Sequence, residues 1–492
     1  MSTPAGSTTG REDPVVTGIG AITPVGAGAP ETWRALVDGR SGISLIEGFD
    51  ASDLPVRIAG EIRGFDPEAL LGPKRARRSA RFSQLAVAAA REAVADAGWE
   101  TAAAPERTAV IVNAAVAGTP ETERNIRALV EGGPRDLSPY YVPSTILNMA
   151  ACEVAIDLGA HGPVNASALA CASGTAALLE ARRLILGGEA DVVIAGGTDA
   201  GINRAMFAGL ALMGPLSERN DAPQEASRPF DAQRDGFVFG EGAVVMVVES
   251  ARHARERGAS VYGVVAGGAL TCDAFHMSAP EPSGAHAARA IELALSSAGV
   301  DPRELDYICA HGTGTRANDA AETRALRIAL PDDADRIPTS SPKSMTGHLI
   351  GAAGALSAMV CLLAIRDGVI PPTINLHTPD PECDLDYVPL TARRTPVRTA
   401  IANAFGFGGQ NCVVVLRAPG RGLVAAAGLR ERDRGSDPLG GRRMGRDQPG
   451  EPARRLQIGD VLQRDRPLEG DERVRRARQF QREVIGAALH RA

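Results

Sequence analysis

Hydrophobic and polar residues follow two rhythms along this chain. Short uninterrupted apolar runs, such as "DVVIAGG" at 191–197, "AVVMVVE" at 243–249 and "DYICA" at 306–310, predict strands buried on both faces. Ala-rich stretches after residues 171 and 348, "ASGTAALLEARRLI" and "LIGAAGALSAMVCLLAI", predict helices. The two kinds alternate from residue 14 to about 417, the pattern of a layered α/β protein. The pattern also repeats. "AAAREAVADAGWETAAAPERTAVIVNAA" parallels "ARAIELALSSAGVDPRELDYICAHGT", each a helix ending in Ala-Gly, a loop and a strand. "VNASALACASGTAALLEARRLILGGEADVVI" parallels "IPTSSPKSMTGHLIGAAGALSAMVCLLAIRDGVI", each a strand, a turn, an Ala-rich helix, a glycine and a strand. Two halves of one topology are expected, 14–265 and 266–417.

The ends break the rhythm. Residues 1–13 are polar and predict a disordered segment without the apolar centre of a secretion signal. Residues 418–492 carry 17 arginines against 11 acidic residues, a local charge of +6, which leaves −12 on the rest. This Arg/Gly/Pro-rich tail predicts disorder, save for helical spacing of Val474, Ala477, Phe480, Val484 and Ala488.

Composition then narrows the function. Of 492 residues, 44% are hydrophobic and 23% charged, as in an ordinary enzyme, and the net charge of −6 gives no hint of nucleic-acid binding. No apolar run is expected to span a membrane. Seven scattered cysteines without a CxxC predict reduced thiols in the cytoplasm and no metal site. The 53 basic residues include only two lysines, Lys74 and Lys343. A lysine that persists against such a bias predicts a place where a compact ammonium serves and a planar guanidinium does not.

Candidate chemistry gathers at equivalent corners of the two halves. Cys171 opens a helix, where unpaired N–H groups and the helix dipole favour a thiolate. His348 precedes the matching helix of the second half. His311 ends a strand and opens "HGTGT", with Asp319 and Glu322 near the start of the next helix. "NAFGFGGQNC" packs Phe405 and Phe407 among glycines and predicts a loop with an aromatic gate and exposed backbone donors. "RPFDAQRDGFVFGEGA" reads as scaffold.

Together "ACASGTAA", "HGTGT", "KSMTGHLIGAAGA", "RPFDAQRDGFVFGEGA" and "FGFGG" resemble the β-ketoacyl-acyl carrier protein synthases, in order across about 14–417. The likeness is to the elongating synthase II type and to type II polyketide ketosynthases. It implies the thiolase fold, a duplicated five-layer αβαβα arrangement, and a decarboxylative Claisen condensation. Cys171 would carry the acyl group. His311 and His348 would stabilise the enolate formed from malonyl-acyl carrier protein. Backbone N–H groups of Cys171 and Phe407 would hold the oxyanion. Lys343 would pair closely with Glu322 beside His311. Lys74, Arg75, Arg77, Arg78 and Arg81, joined by Arg135 and Arg219, would dock the acidic carrier protein. No bound cofactor is implied, since the carrier brings the phosphopantetheine. The partner subunit would be a second copy or a chain-length partner.

Ser357, Ala404 and Gln410 depart from the fatty-acid pattern, and "HGTGT" replaces its more usual "HGTST". These shifts lean toward a specialised polyketide pathway, with housekeeping fatty-acid elongation as the alternative. A non-catalytic chain-length subunit would lack the cysteine, and a priming synthase would have Asn at His348. A thiolase would need a second cysteine in a setting that Cys412 does not have.

Overall fold

The computed structural model describes residues 12–420 and 422–426, so most of the expected tail, with its terminal helix, lies outside the described residues. Ten strands form one mixed sheet: β1 (Val15–Ile22), β2 (Thr108–Asn113), β3 (Val164–Asn165), β4 (Val192–Asp199), β5 (Gly242–Glu249), β6 (Gly263–Cys272), β7 (Tyr307–Cys309), β8 (Thr339–Ser340), β9 (Thr399–Gly406) and β10 (Gln410–Arg417). Their order is β8-β7-β9-β10-β6-β1-β5-β4-β2-β3. Adding five to each strand number of one half gives the other.

The pairing sense repeats as well. β2 is parallel to β3 and β4, as β7 is to β8 and β9. β4–β5 and β5–β1 are antiparallel, as are β9–β10 and β10–β6. The two half-sheets join edge to edge through the pairs Val15–Val264 and Val16–Gly263. The sequence repeat is therefore a structural duplication.

Helices fill three layers around the two half-sheets. α1 (Arg81–Ala97) and α2 (Met149–Leu158) cover the outer face of the first half. α3 (Ser173–Gly187) lies between the halves. α4 (Ala285–Ala298) and α5 (Arg316–Ala329) cover the second half, and α6 (Ala353–Asp367) joins α3 in the middle. This is the five-layer αβαβα arrangement. α1, α3, α4 and α6 each stop at a left-handed glycine, Gly98, Gly188, Gly299 and Gly368, which again pairs the two halves.

Two expectations need correction. The repeat matched the end of "RDGVI" to strand β4, but Val369–Ile370 pairs with Arg393–Arg394 in a separate two-stranded ribbon. The strand equivalent to β4 is β9, after an excursion through 371–398 that two apolar residues cannot reveal. The run Ile350–Asp367 is also long and apolar enough to cross a membrane by composition. It is mostly buried, because the middle-layer helix α6 meets protein on all sides and is apolar all round.

The middle layer is packed to backbone contact. A Cβ on Gly174 of α3 would lie 2.6 Å from the Ala355 nitrogen, and one on Gly354 of α6 would lie 2.7 Å from the Thr175 nitrogen. Neither neighbour is a flexible side-chain tip. Gly354→Val should therefore cost about 1–3 kcal/mol as overpacking. Thermal melts should show the lowered transition; an unchanged midpoint would show that the helices separate freely.

Candidate active site

Cys171 stands two residues before α3 and is 8% exposed. Ala170 before it has φ +46°, an unusual conformation for a residue with a side chain. Ser173 braces the turn, with its hydroxyl donating to the Ala170 carbonyl at 2.7 Å and accepting from the Leu169 N–H at 3.0 Å. The Gly-rich loop after β9 closes over this corner. A Cβ on Gly406 would meet the Leu169 carbonyl at 2.9 Å and the Cys171 nitrogen at 3.0 Å, so only glycine lets the loop approach. The backbone N–H groups of Phe407 and Cys171 both lower the Cys171 thiol from the level that burial would set. They are the donor pair that the family resemblance implies for an oxyanion.

Burial pushes the Cys171 thiol up to about 11, against the pull of Lys343 and these two N–H groups. Burial thus opposes the thiolate that the helix start favours, and it is the larger effect.

His311 and His348 face this sulfur. The Cys171 sulfur and one nitrogen of each ring lie within 4.8 Å of one another. The rings are 5.5 Å apart between centroids and nearly perpendicular. Phe405 packs 5.8 Å from His311, and Phe237 packs 5.4 Å from His348. His348 is set by the "FVFGEG" strand-like segment: its N–H donates to the Val238 carbonyl at 2.7 Å, and its carbonyl accepts from Gly240 at 2.9 Å. The Ile350 N–H donates to His348 Nδ1 at 3.2 Å, which places the imidazole proton on Nε2. That Nε2, and Nδ1 of His311, are buried without a partner. Burial holds both imidazoles well below the ordinary histidine range, with the Lys343 charge adding to the effect. Both are neutral at pH 7.

Lys343 is 2% exposed, and burial lowers its ammonium from the usual lysine range. Its field reaches Cys309, Glu322, Cys171 and Asp319. The expected close pair with Glu322 is absent: among the described residues no carboxylate lies within ion-pair distance of Lys343. Glu322 is committed elsewhere. It accepts from the N–H groups of His311 at 2.8 Å and Gly312 at 2.7 Å, and from Asn403 at 3.1 Å. Asp319 accepts from Phe230 and Gly314 N–H groups at 2.9 and 3.2 Å. Both acids hold the "HGTGT" loop in shape.

Cys171, His311, His348 and Glu322 line a cavity of about 690 Å³, together with Phe405, Phe407, Thr313 and Thr315. Phe407 is 38% exposed at its mouth. Among the described residues, Cys171, His311 and His348 are the one group whose spacing could hold a metal ion.

The basic residues divide. Lys74, Arg77, Arg78 and Arg135 are exposed, and Arg78 lies 4.9 Å above the Tyr140 ring in the loop that carries Arg135. Arg75 instead pairs with Asp157, and Arg81 grips Glu241 through two bonds of 2.7 and 2.8 Å. Both are thus engaged by acids of this chain. Arg219 is half-buried and donates to the Gln233 carbonyl at 3.3 Å, with no bond to the 74–78 segment.

Sequence reasoning missed Asp199. It is fully buried and accepts from Ala115, Val116, Ala117 and Gly351 N–H groups at 2.9, 3.1, 3.0 and 2.7 Å. Burial pushes its carboxyl up to about 6. It ties β4 to the turn that leads into α6. The available signal was an acid ending the apolar run "VVIAGGTD".

Comparison with known proteins agrees with this geometry. The Beta-ketoacyl synthase N-terminal domain matches residues 12–254, and the C-terminal domain matches 262–377. The chain is 46% identical over 404 residues to a 3-oxoacyl-[acyl-carrier-protein] synthase 2 of Synechocystis sp., covering 82% of this chain and 97% of that protein. It is 43% identical over 404 residues to the protein of that name from Coxiella burnetii, with the same 82% and 97% coverage. A type II polyketide ketosynthase solved with its acyl-carrier protein superposes with TM-score 0.78 at 34% identity, covering 84% of this chain and all 100% of that one. The ishigamide ketosynthase/chain length factor superposes with TM-score 0.78 at 36% identity, with the same 84% and 100% coverage.

The neutral histidines carry a pH signature. Each has a folded-state value depressed below its unfolded value of about 6.5. The unfolded chain therefore takes up protons first as pH falls, and stability present above 6.5 is lost below it. A His311→Asn, His348→Asn double variant should lose less stability between pH 7.5 and 5.5 than the parent, by about 1 kcal/mol or more. Urea melts at both pH values read this difference. An equal loss in the two proteins would mean that the imidazoles are not held neutral.

Proposed function

The chain belongs to the β-ketoacyl synthase family of condensing acyltransferases, and on that premise we propose that Cys171, His311, His348 and Lys343 perform its condensation. The observation that carries the assignment is a nucleophilic sulfur and two neutral imidazoles converging at the foot of one cavity. Cys171 attacks the thioester of an acyl-carrier protein. Its proton ends on the departing carrier thiol, and the acyl group stays on the sulfur. The N–H groups of Cys171 and Phe407 receive the oxyanion as the tetrahedral carbon forms. Malonyl-acyl carrier protein then enters and loses CO2. Neutral N–H groups of His311 and His348 donate to the enolate oxygen, and its carbon attacks the Cys171 thioester. The adduct expels the Cys171 sulfur as thiolate, which takes a proton from solvent to restore the cysteine, and a 3-oxoacyl group is left on the carrier. No protein-bound cofactor has a part in this scheme.

The similar proteins weigh on the pathway. The departures at Ser357, Ala404 and Gln410 lean toward a polyketide route. The synthase 2 relatives are 46% and 43% identical, against 34% and 36% for the polyketide structures. That difference favours fatty-acid elongation as the better-supported reading. The carrier protein would dock on the exposed group Lys74, Arg77, Arg78 and Arg135. A second copy would pair along β3, the exposed end of the sheet, where Val164, Ile156 and Val142 present apolar surface. The free thiols support a reducing compartment, the cytoplasm.

Intact-mass measurement tests the nucleophile. The parent should gain the mass of the acyl group from an acyl-carrier protein, and Cys171→Ala should gain none and fail to condense. Continued elongation by the alanine variant would overturn the assignment.

A second comparison tests the cation. Lys343→Arg should lose about 100-fold in turnover while remaining folded, since a misplacement of about 1 Å costs that much. Lys74→Arg lies on an exposed segment and should change turnover little. Equal, near-native activity in both would remove any special role for lysine at 343.

A further inference from the structure

The cavity that holds Cys171 is unbalanced in charge toward its mouth. Its wall includes four carboxylates, Asp235, Asp273, Glu281 and Glu322, and a single Lys or Arg side chain, Arg316. Two of those acids are satisfied internally. Asp273 accepts from Asn411 at 2.6 Å and from the Glu281 N–H at 3.0 Å, and Glu322 accepts the three bonds already described. Asp235 is exposed and Glu281 half-exposed, so the entrance itself is acidic.

Arg316 is also exposed, and among the described residues no carboxylate lies within ion-pair distance of it. Its one bond is long, from Nε to the Arg234 carbonyl at 3.5 Å. The backbone beneath it is fixed. Buried Arg234 donates to the Thr315 carbonyl and to the Arg316 carbonyl, each at 3.1 Å. Arg234 is itself anchored by Asp380 and by Asp319 at 3.6 Å. The result is a planar fork of unused donors presented from a rigid base at an otherwise acidic entrance.

The condensation read above brings its substrates on an arm with a phosphodiester near the carrier and a thioester at the tip. When the tip reaches Cys171, the phosphate is left toward the outside. An anion at that entrance would meet Asp235 and Glu281, with Arg316 as the one Lys or Arg side chain lining the cavity. We propose that Arg316 binds the phosphate of the phosphopantetheine arm and so selects carrier-borne thioesters over uncharged ones. This rests on the condensing reading for the identity of the arm. The contact is a charge-assisted bond to a planar guanidinium, the geometry that suits phosphate oxygens.

The test uses binding, so it does not depend on turnover. Two unreactive thioethers, S-propyl pantetheine and S-propyl 4′-phosphopantetheine, are titrated as protectants of Cys171 against iodoacetamide in the full-length protein. In the parent the phosphorylated compound should protect at a roughly tenfold lower concentration. In Arg316→Gln the two should protect equally, at the concentration pantetheine needs in the parent. Arg316→Lys should recover part of the preference. Equal protection in the parent, a preference that survives in Arg316→Gln, or loss of protection by both compounds in that variant would each overturn the proposal. A chain that showed the preference yet failed to condense would sink the condensing assignment and leave this binding site standing.

Discussion

Gly174 and Gly354 let two helices approach until the backbone of each touches the other. That contact sets the distance between the halves of the duplicated fold. Each helix carries a reactive corner at its N-terminal side, Cys171 before α3 and His348 before α6. Because the helices cross at their glycines, the corners face one another. Asp199 locks the arrangement by taking N–H groups from the 115–117 turn of the first half and from Gly351 of the second. The duplicated fold supplies two equivalent positions, and close packing makes one site from them.

Dryness then governs the chemistry. Burial drives every ionisable group there toward its neutral form: thiol up, imidazoles down, ammonium down. Lys343 works within this setting as a single field source. Its charge adds to burial in keeping both imidazoles neutral, so that each carries one N–H. The same charge draws the cysteine down from the level that burial alone would set.

Much of this was legible in the sequence, and for identifiable reasons. Strands β4, β5 and β7 showed because both faces are buried and no polar alternation dilutes the apolar run. The duplication showed because equivalent helices end at equivalent glycines. Cys171, His311 and His348 showed through their neighbours, small residues that let backbone approach. What failed depended on spacing in three dimensions. Arg75 and Arg81 looked like a surface cluster with Arg77 and Arg78, since a run of basic residues does not reveal which face meets Asp157 and Glu241. The thiolate was expected from a helix start that the sequence shows, while the burial that outweighs it is visible only in the fold. Asp199 looked like any acid at the end of a strand.

The two lysines show where local chemistry resists a strong bias. Arginine suits sites with several acceptors in a plane, and Arg234 uses its fork in that way, reaching three backbone carbonyls and two acids. Around Lys343 that set of acceptors is missing. Glu322 has spent its oxygens on the His311 and Gly312 N–H groups and on Asn403, and the remaining neighbours in its field are thiols and Asp319. A guanidinium placed there would bring five donors with few acceptors, in a space already filled by imidazoles. Its cheapest relief would be to pull Glu322 away from the loop and so release His311. A compact ammonium supplies the charge without making that demand. The reason for lysine is thus not the ion pair expected from the sequence but the lack of one: at this position the field is wanted and the fork is not.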